Sequence, residues 1–176
     1  SIEALKKIKD ASSVDALLQA LDKASDLVAV AIIETLGDMA HIKAVPKLLQ
    51  KMETSSQPLQ NKIVQALVSI LGNNAFSLLN SAEQKRLYPA LLEALEDEDP
   101  DVQDAAVTGL NTFGGEEASS SIFKVLLGLD EDREPDRFEA LISTLQNLGL
   151  SQELRSAVLG EDPVVSGLAI RVLNGL

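Results

Sequence analysis

A chain of 176 residues that is 45% hydrophobic is long enough to bury a sizeable core, and having no Cys it excludes disulfides, thiolate metal sites and a cysteine nucleophile. The apolar content is aliphatic, with no Trp, one Tyr and four Phe, and its helical spacing points to an all-α protein. The net charge of −12 is lopsided: residues 1–88 carry ten Lys/Arg and nine Asp/Glu, whereas residues 89–176 carry five and eighteen, so the second half repels polyphosphate and anionic lipid and attracts cationic partners.

The first predicted helix covers residues 2–9, with Ile2, Leu5 and Ile8 on one face. Ser12 or Ser13 then caps a helix holding Leu17, Leu18 and Leu21. Ser25 and Asp26 open the next, with Val28, Ile32 and Leu36 inward and Gly37 near its end. Residues 42–52 follow, with Leu48, Leu49 and Met52 apolar and Pro46 in the first turn. Pro58 begins a helix through Ile63, Leu67 and Ile70 that stops at Gly72-Asn73-Asn74. Phe76, Leu78 and Leu79 predict an added turn, and Ser81 with Gln84 three residues on predicts a capping box for a helix ending near Leu95.

In that helix Leu91, Leu92 and Leu95 share a face, and an acidic turn leads to Pro100 at the first turn of the next helix, with Asp99 as its N-cap. Val102, Ala105, Ala106 and Leu110 form its apolar stripe, and Gly114-Gly115 ends it. Helices over 116–129, 135–148, 151–159 and 163–173 complete the chain, the second of them stopping at Gly149.

Aligned by their apolar positions, these helices repeat in pairs. The first-helix marker falls at Leu17, Leu48, Leu91, Val125 and Val158, and the second at Leu36, Leu67, Leu110, Leu145 and Leu173. The offset within a pair is 19, 19, 19, 20 and 15 residues. Two helices per unit at a period in the thirties, with Asp99-Pro100, Glu134-Pro135 and Asp162-Pro163 opening second helices, resemble the HEAT-repeat family, in its short, Ala-rich bacterial and archaeal form. The resemblance covers essentially the whole chain. It implies an all-α, right-handed α-α superhelix (a HEAT-like, armadillo-like solenoid) of about five helix pairs, in one repeat domain over residues 1–176. Because both ends fall inside a repeat unit without a polar cap, a segment of a longer array, or a partner covering the N-terminal end, is expected. One departure is that Ala29, Gln103 and Ser166 stand where the family often has Arg. The family's Asp–Arg ladder is therefore expected to be missing, with stacking resting on apolar contacts.

Catalytic chemistry finds little support. His41 is the only His, next to a helix start, and one His makes neither a metal cluster nor, alone, a triad. HEAT-like di-iron hydroxylases use His-Glu pairs, and the chain has no His-Glu dipeptide. The acidic runs 96–101 and 130–136 lack the Gly and closing Glu of a calcium loop and read as solvated turns that also complement helix dipoles. Ser119–Ser121 has no accompanying base, and Gly114-Gly115 is too short to cradle phosphate. DNA-repair glycosylases of HEAT-like build need a basic face and stacking aromatics that this acidic, Trp-free chain lacks, so no nucleic acid is expected. No cofactor and no metal are expected either.

Surface remains. In the resembled fold the second helices line the concave side, where the row through Asp104 is Val30, Asn61, Asp104, Glu139 and Gly167, and the next is Glu34, Gln65, Thr108, Ser143 and Arg171. Asp101, Asp104, Thr108, Asp136, Glu139 and Ser143 are therefore the expected partner-binding residues of an acidic face for a basic protein segment. Two other expectations compete with this non-catalytic scaffold. One is a bilin lyase-like, chromophore-handling protein using Arg133, Arg137 and Tyr88. The other is a structural module that self-associates through the N-terminal repeat face of Ile2, Leu5 and Ile8. No run reaches the roughly 20 apolar residues of a membrane span, the first residues lack signal-peptide order, and with no Cys a cytoplasmic location is expected.

Overall fold

The computed structural model describes residues 2–72, 76–149 and 151–176, with side chains from Ser12 onward. Among the described residues there are ten α-helices, two 3-10 turns and no strand. The helices pack in adjacent pairs as in a helical repeat solenoid. The chain divides into two compact units, Ser1–Gly109 and Leu110–Leu176.

In the first unit α1 (Ile2–Leu21) packs on α2 (Asp26–Met39), and α3 (Val45–Glu53) on α4 (Gln57–Leu71). First helices also meet first helices, α3 against α5 (Ser81–Ala94), and second helices meet second helices, α2 against α4. The second unit repeats this scheme. There α7 (Glu116–Gly128) pairs with α8 (Pro135–Leu148) and α9 (Gln152–Val158) with α10 (Pro163–Leu173), while α7 meets α9 and α8 meets α10. The division between the units falls within α6 (Pro100–Phe113).

The apolar markers explain the pairing. Leu36, Leu67, Leu110 and Leu145 are fully buried, as are Leu48 and Leu91 from first helices. Burying each such side chain contributes about 1.5–3 kcal/mol, which outweighs the weak propensity differences along these helices. The final pair differs. Leu173 and Val158 are half-buried, and full burial falls on Val172 and Leu154. The first-helix markers Leu17 and Val125 are half-buried too, with Val14 and Leu21, and Ile122 and Leu126, fully buried beside them. Val28, expected inward, is about half exposed, and Ala29 and Ile33 take the buried side of α2.

Two helix starts also differ from expectation. Residues 2–21 form one unbroken helix, with Ser12 and Ser13 exposed along it instead of opening a new one. Neither Gly nor Pro interrupts that stretch, and an exposed Ser costs a helix too little to break it. The expected uncovered face of Ile2, Leu5 and Ile8 lies outside the described side chains. The capping box of α5 is Asn80 with Glu83, one residue earlier than Ser81 with Gln84: Glu83 N donates to Asn80 Oδ1 (2.9 Å) and Asn80 N to Glu83 Oε2 (2.8 Å). The preceding 3-10 turn, Phe76–Leu78, buries Phe76, and Leu79 is buried beside it, which brings Asn80 to the helix entrance. Asn73 and Asn74 lie outside the described residues.

Candidate functional site

In the first unit the second helices and the start of α6 enclose a cleft of about 410 Å³. Glu34 and Asp38 of α2, Lys62, Gln65 and Ser69 of α4, and Asp99 and Asp101 at the start of α6 line it. The floor is set by a close helix crossing: a Cβ on Gly37 would lie 3.2 Å from the Ala66 Cα, so only Gly lets α2 approach α4 this far. Four carboxylates thus face one ammonium. Lys62 Nζ lies 2.9 Å from Asp99 Oδ2 and 3.6 Å from Glu34 Oε1. The bond from Lys62, with a further bond from the Asp101 backbone, holds the Asp99 carboxyl below its ordinary pKa, and the same partner raises that of Lys62.

Beneath the cleft runs a polar ladder between repeats. Asn61 is 5% exposed; its Nδ2 donates to Asp97 Oδ2 (2.7 Å) and its Oδ1 accepts from Gln57 Nε2 (2.9 Å). Asp97 Oδ1 accepts from Asp99 N (2.8 Å), and Gln103 Nε2 donates to the Asp97 carbonyl (2.7 Å). Stacking here does not rest on apolar contacts alone. An Asn–Asp–Gln chain ties α4 to the turn before α6, with Gln103 standing at one of the positions where Arg was missed. It also gives the carboxylates of the acidic run 96–101 defined work: Asp97 and Asp99 close local turns, and Asp99 Oδ1 accepts from Asp101 N as the N-cap of α6 (2.9 Å). No group of three His, Cys, Asp or Glu able to hold a metal ion occurs among the described residues.

The second unit presents a different surface, a groove of about 400 Å³. Its walls are Leu127 and Leu129 from the end of α7, Phe138 of α8, and Val164 and Leu168 of α10. Gly167 lies between these two α10 residues, and Glu131 and Arg171 stand at the edge. The Arg171 guanidinium lies 5.4 Å from the Phe138 ring centroid; Nη1 donates to Glu131 Oε1 (2.8 Å) and Nη2 to Glu139 Oε1. The bonds to Glu131 and then to Glu139 raise its pKa above the ordinary guanidinium value. Its charge is thereby matched by two carboxylates.

The expected partner-binding residues fall in two sets. Asp101, Asp104 and Thr108 lie on α6 within the first unit, at i, i+3 and i+7, and Asp101 lines the cleft. Thr108 Oγ1 donates to the Asp104 carbonyl (3.0 Å), so the hydroxyl is turned onto its own helix. Asp136, Glu139 and Ser143 hold the same spacing on α8 in the second unit, all exposed, with Glu139 engaged by Arg171. Lys62, Asp38 and the walls of the second-unit groove were not among the expected residues. Lys62 is one position from Asn61, about 100° around the helix, and its long side chain swings back to the cleft.

Other sequence candidates resolve locally. His41 caps the short 3-10 turn Ile42–Ala44, its Nδ1 accepting from Lys43 N (3.2 Å). Arg133 pairs with Asp130 and Arg137 with Glu134 in the second unit, and Tyr88 belongs to the first. No helix among the described residues is long and apolar enough to cross a membrane.

No curated protein matches the chain. Residues 87–114, which take in the end of α5, the acidic turn and α6, match the model of the HEAT repeat, and this match, set on the paired helices, supports a HEAT-repeat family assignment.

Proposed function

We propose that the chain is a non-catalytic scaffold whose acidic second-helix faces bind a basic segment of a partner protein. HEAT repeats serve generally as protein-interaction scaffolds, which supports the coarse reading. The finer one rests on a single observation: a 410 Å³ cleft in which Glu34, Asp38, Asp99 and Asp101 surround one lysine. Two of those carboxylates are matched by Lys62, which leaves the cleft net negative and open to a Lys or Arg side chain. The repeated acids continue the pattern, since Asp136 and Glu139 stand on α8 in the register that Asp101 and Asp104 hold on α6.

The test is fluorescence anisotropy of labelled Lys/Arg-rich peptides against the full chain at 50 and 300 mM salt. Binding should weaken steeply with salt. Replacing Asp101, Asp104 and Asp136 by Asn and Glu139 by Gln should weaken low-salt binding at least tenfold with an unchanged far-UV circular dichroism spectrum. The two pairs of substitutions, assayed separately, report on each unit. Unchanged affinity in the combined variant refutes the reading.

A further inference from the structure

Glycine inside a helix is costly, and the helical glycines of this chain divide by whether packing requires them. Gly37 is needed because a Cβ would press on the Ala66 backbone, and at Gly109 a Cβ would lie 2.6 Å from the Leu91 Cδ2, so that side chain would have to shift. A Cβ would meet nothing within 4 Å at Gly128, the last residue of α7, or at Gly167, which sits in the middle of α10. Neither a positive φ nor a close neighbour accounts for it. In the register of the other second helices its position is held by Val30, Asn61, Asp104 and Glu139. What the missing side chain leaves is space in the second-unit groove, between Val164 and Leu168 on one side and Leu127, Leu129 and Phe138 on the other.

That groove has apolar walls with Glu131 and Arg171 at its edge, and the walls are partly uncovered: Val164 is 70% and Leu127 38% exposed. A soluble partner surface of matching chemistry would remove them from water. The surrounding charge says which partner. Residues 110–176 carry eleven Asp/Glu against five Lys/Arg, and the one cation at the groove edge, Arg171, is matched by Glu131 and Glu139, so a cationic flank meets no uncompensated positive charge.

We infer that the α8–α10 groove, kept open by Gly167, is the anchor pocket for one large apolar side chain of the basic partner segment. This rests on the acidic-face reading and adds to it the requirement for an apolar anchor between basic residues. The anchor's burial supplies affinity that salt does not screen, whereas the flanking charges supply the salt-sensitive part.

The experiment uses the full chain and two labelled twelve-residue probes, a Lys/Ser peptide and the same peptide with one central Phe. The Phe peptide should bind about tenfold more tightly, and this advantage should persist in high salt. Gly167→Leu fills the groove from a position where the new Cβ touches nothing, so the fold is retained, as circular dichroism and thermal melting will check. In that variant the Phe advantage should vanish while the salt-dependent binding of the Lys/Ser peptide stays. Gly167→Ala, with little added bulk, should keep most of the advantage. Equal binding of the two probes to the parent chain, or an advantage retained in Gly167→Leu, overturns the anchor pocket and leaves the acidic faces standing. Absence of binding by both probes at low salt overturns the acidic-face reading and the pocket with it.

Discussion

Replacing Asn61 by Asp keeps the shape of the side chain and exchanges its one donor for an oxygen. In the native chain Asn61 Nδ2 donates to the Asp97 carboxylate at 2.7 Å from a position only 5% exposed. A hydrogen bond to a charged acceptor contributes about 1.5–3 kcal/mol. Asn61→Ala loses it and regains at most about 0.7 kcal/mol of helix propensity, for a net cost of about 1–2 kcal/mol. Asn61→Asp does more, because two carboxylates at hydrogen-bonding distance cannot both ionise without large repulsion. The folded state then holds a proton that the unfolded chain releases near pH 3.9.

The introduced carboxyl therefore has a folded pKa above its unfolded value. Below about pH 3.9 both states are protonated, the acid O–H can donate to Asp97 as the amide did, and the variant matches the parent. Above that pH the deficit grows by about 1.36 kcal/mol per pH unit until the folded pKa is passed. A rise of about two units gives about 3 kcal/mol at pH 7. Urea denaturation of parent, Asn61→Ala and Asn61→Asp between pH 3.5 and 7 measures this. A deficit of Asn61→Asp below about 0.5 kcal/mol at pH 7, or one that does not change with pH, would refute the ladder as a structural tie.

The pair beside it predicts a window of its own. Asp99 has a lowered pKa, so its contribution is present above its ordinary value of 3.8 and lost as pH falls through the folded pKa; Lys62 has a raised one, so its share is present below 10.5 and lost as pH rises beyond. Lys62→Met should thus lower stability between about pH 5 and 10, by no more than about 1 kcal/mol given the exposure of Asp99, with the difference closing at both ends; a flat difference in chemical denaturation from pH 3 to 11 would count against the pairing. Ala40 ends α2 at φ 49°, a left-handed conformation that costs a non-Gly residue about 1–2 kcal/mol, and Ala40→Gly should raise the urea midpoint accordingly. Gly37→Ala should lower stability by about 1–2 kcal/mol despite its better propensity, because the crossing of α2 and α4 cannot widen cheaply. Gly167→Ala, the same chemical change in open space, should raise it by about 0.5–1 kcal/mol, and equal signs for the two substitutions would undo the packing argument.

Leu36, Leu67, Leu110 and Leu145 were legible because one residue per second helix must bury fully, and a constant offset to the first-helix partner repeats that demand along the chain. Pro100, Pro135 and Pro163 marked starts reliably, since proline at a first turn loses no hydrogen bond. Starts marked by Ser alone were ambiguous. Ser12 and Ser13 lie within a continuous helix, while Ser81 yielded the cap to Asn80 once Phe76 and Leu79 had been buried. A capping residue is permissive, and the tertiary contact before it decides. The absence of Arg at the family's positions was visible as well, but its replacement was not. Asn61, Asp97 and Gln103 are separated by 36 and 6 residues and come together only when α4 meets the following turn.

The same division separates the two surfaces. Glu34, Gln65 and Asp101 line the cleft because helical periodicity sends them to one face, and periodicity is what a sequence displays. The second groove depends on Leu127 and Leu129, which enter from the end of α7 and the irregular turn after it, where no period predicts direction. In the sequence Gly167 is an empty place in an acidic row, indistinguishable from a weak helix position. With the walls in place the emptiness acquires a shape: Val164 and Leu168 hold one side open, Phe138 and the turn leucines the other, and the glycine is the one residue between them that puts nothing in the way. On stability alone Ala would serve the helix better at that position, so the glycine is best accounted for by what the space admits.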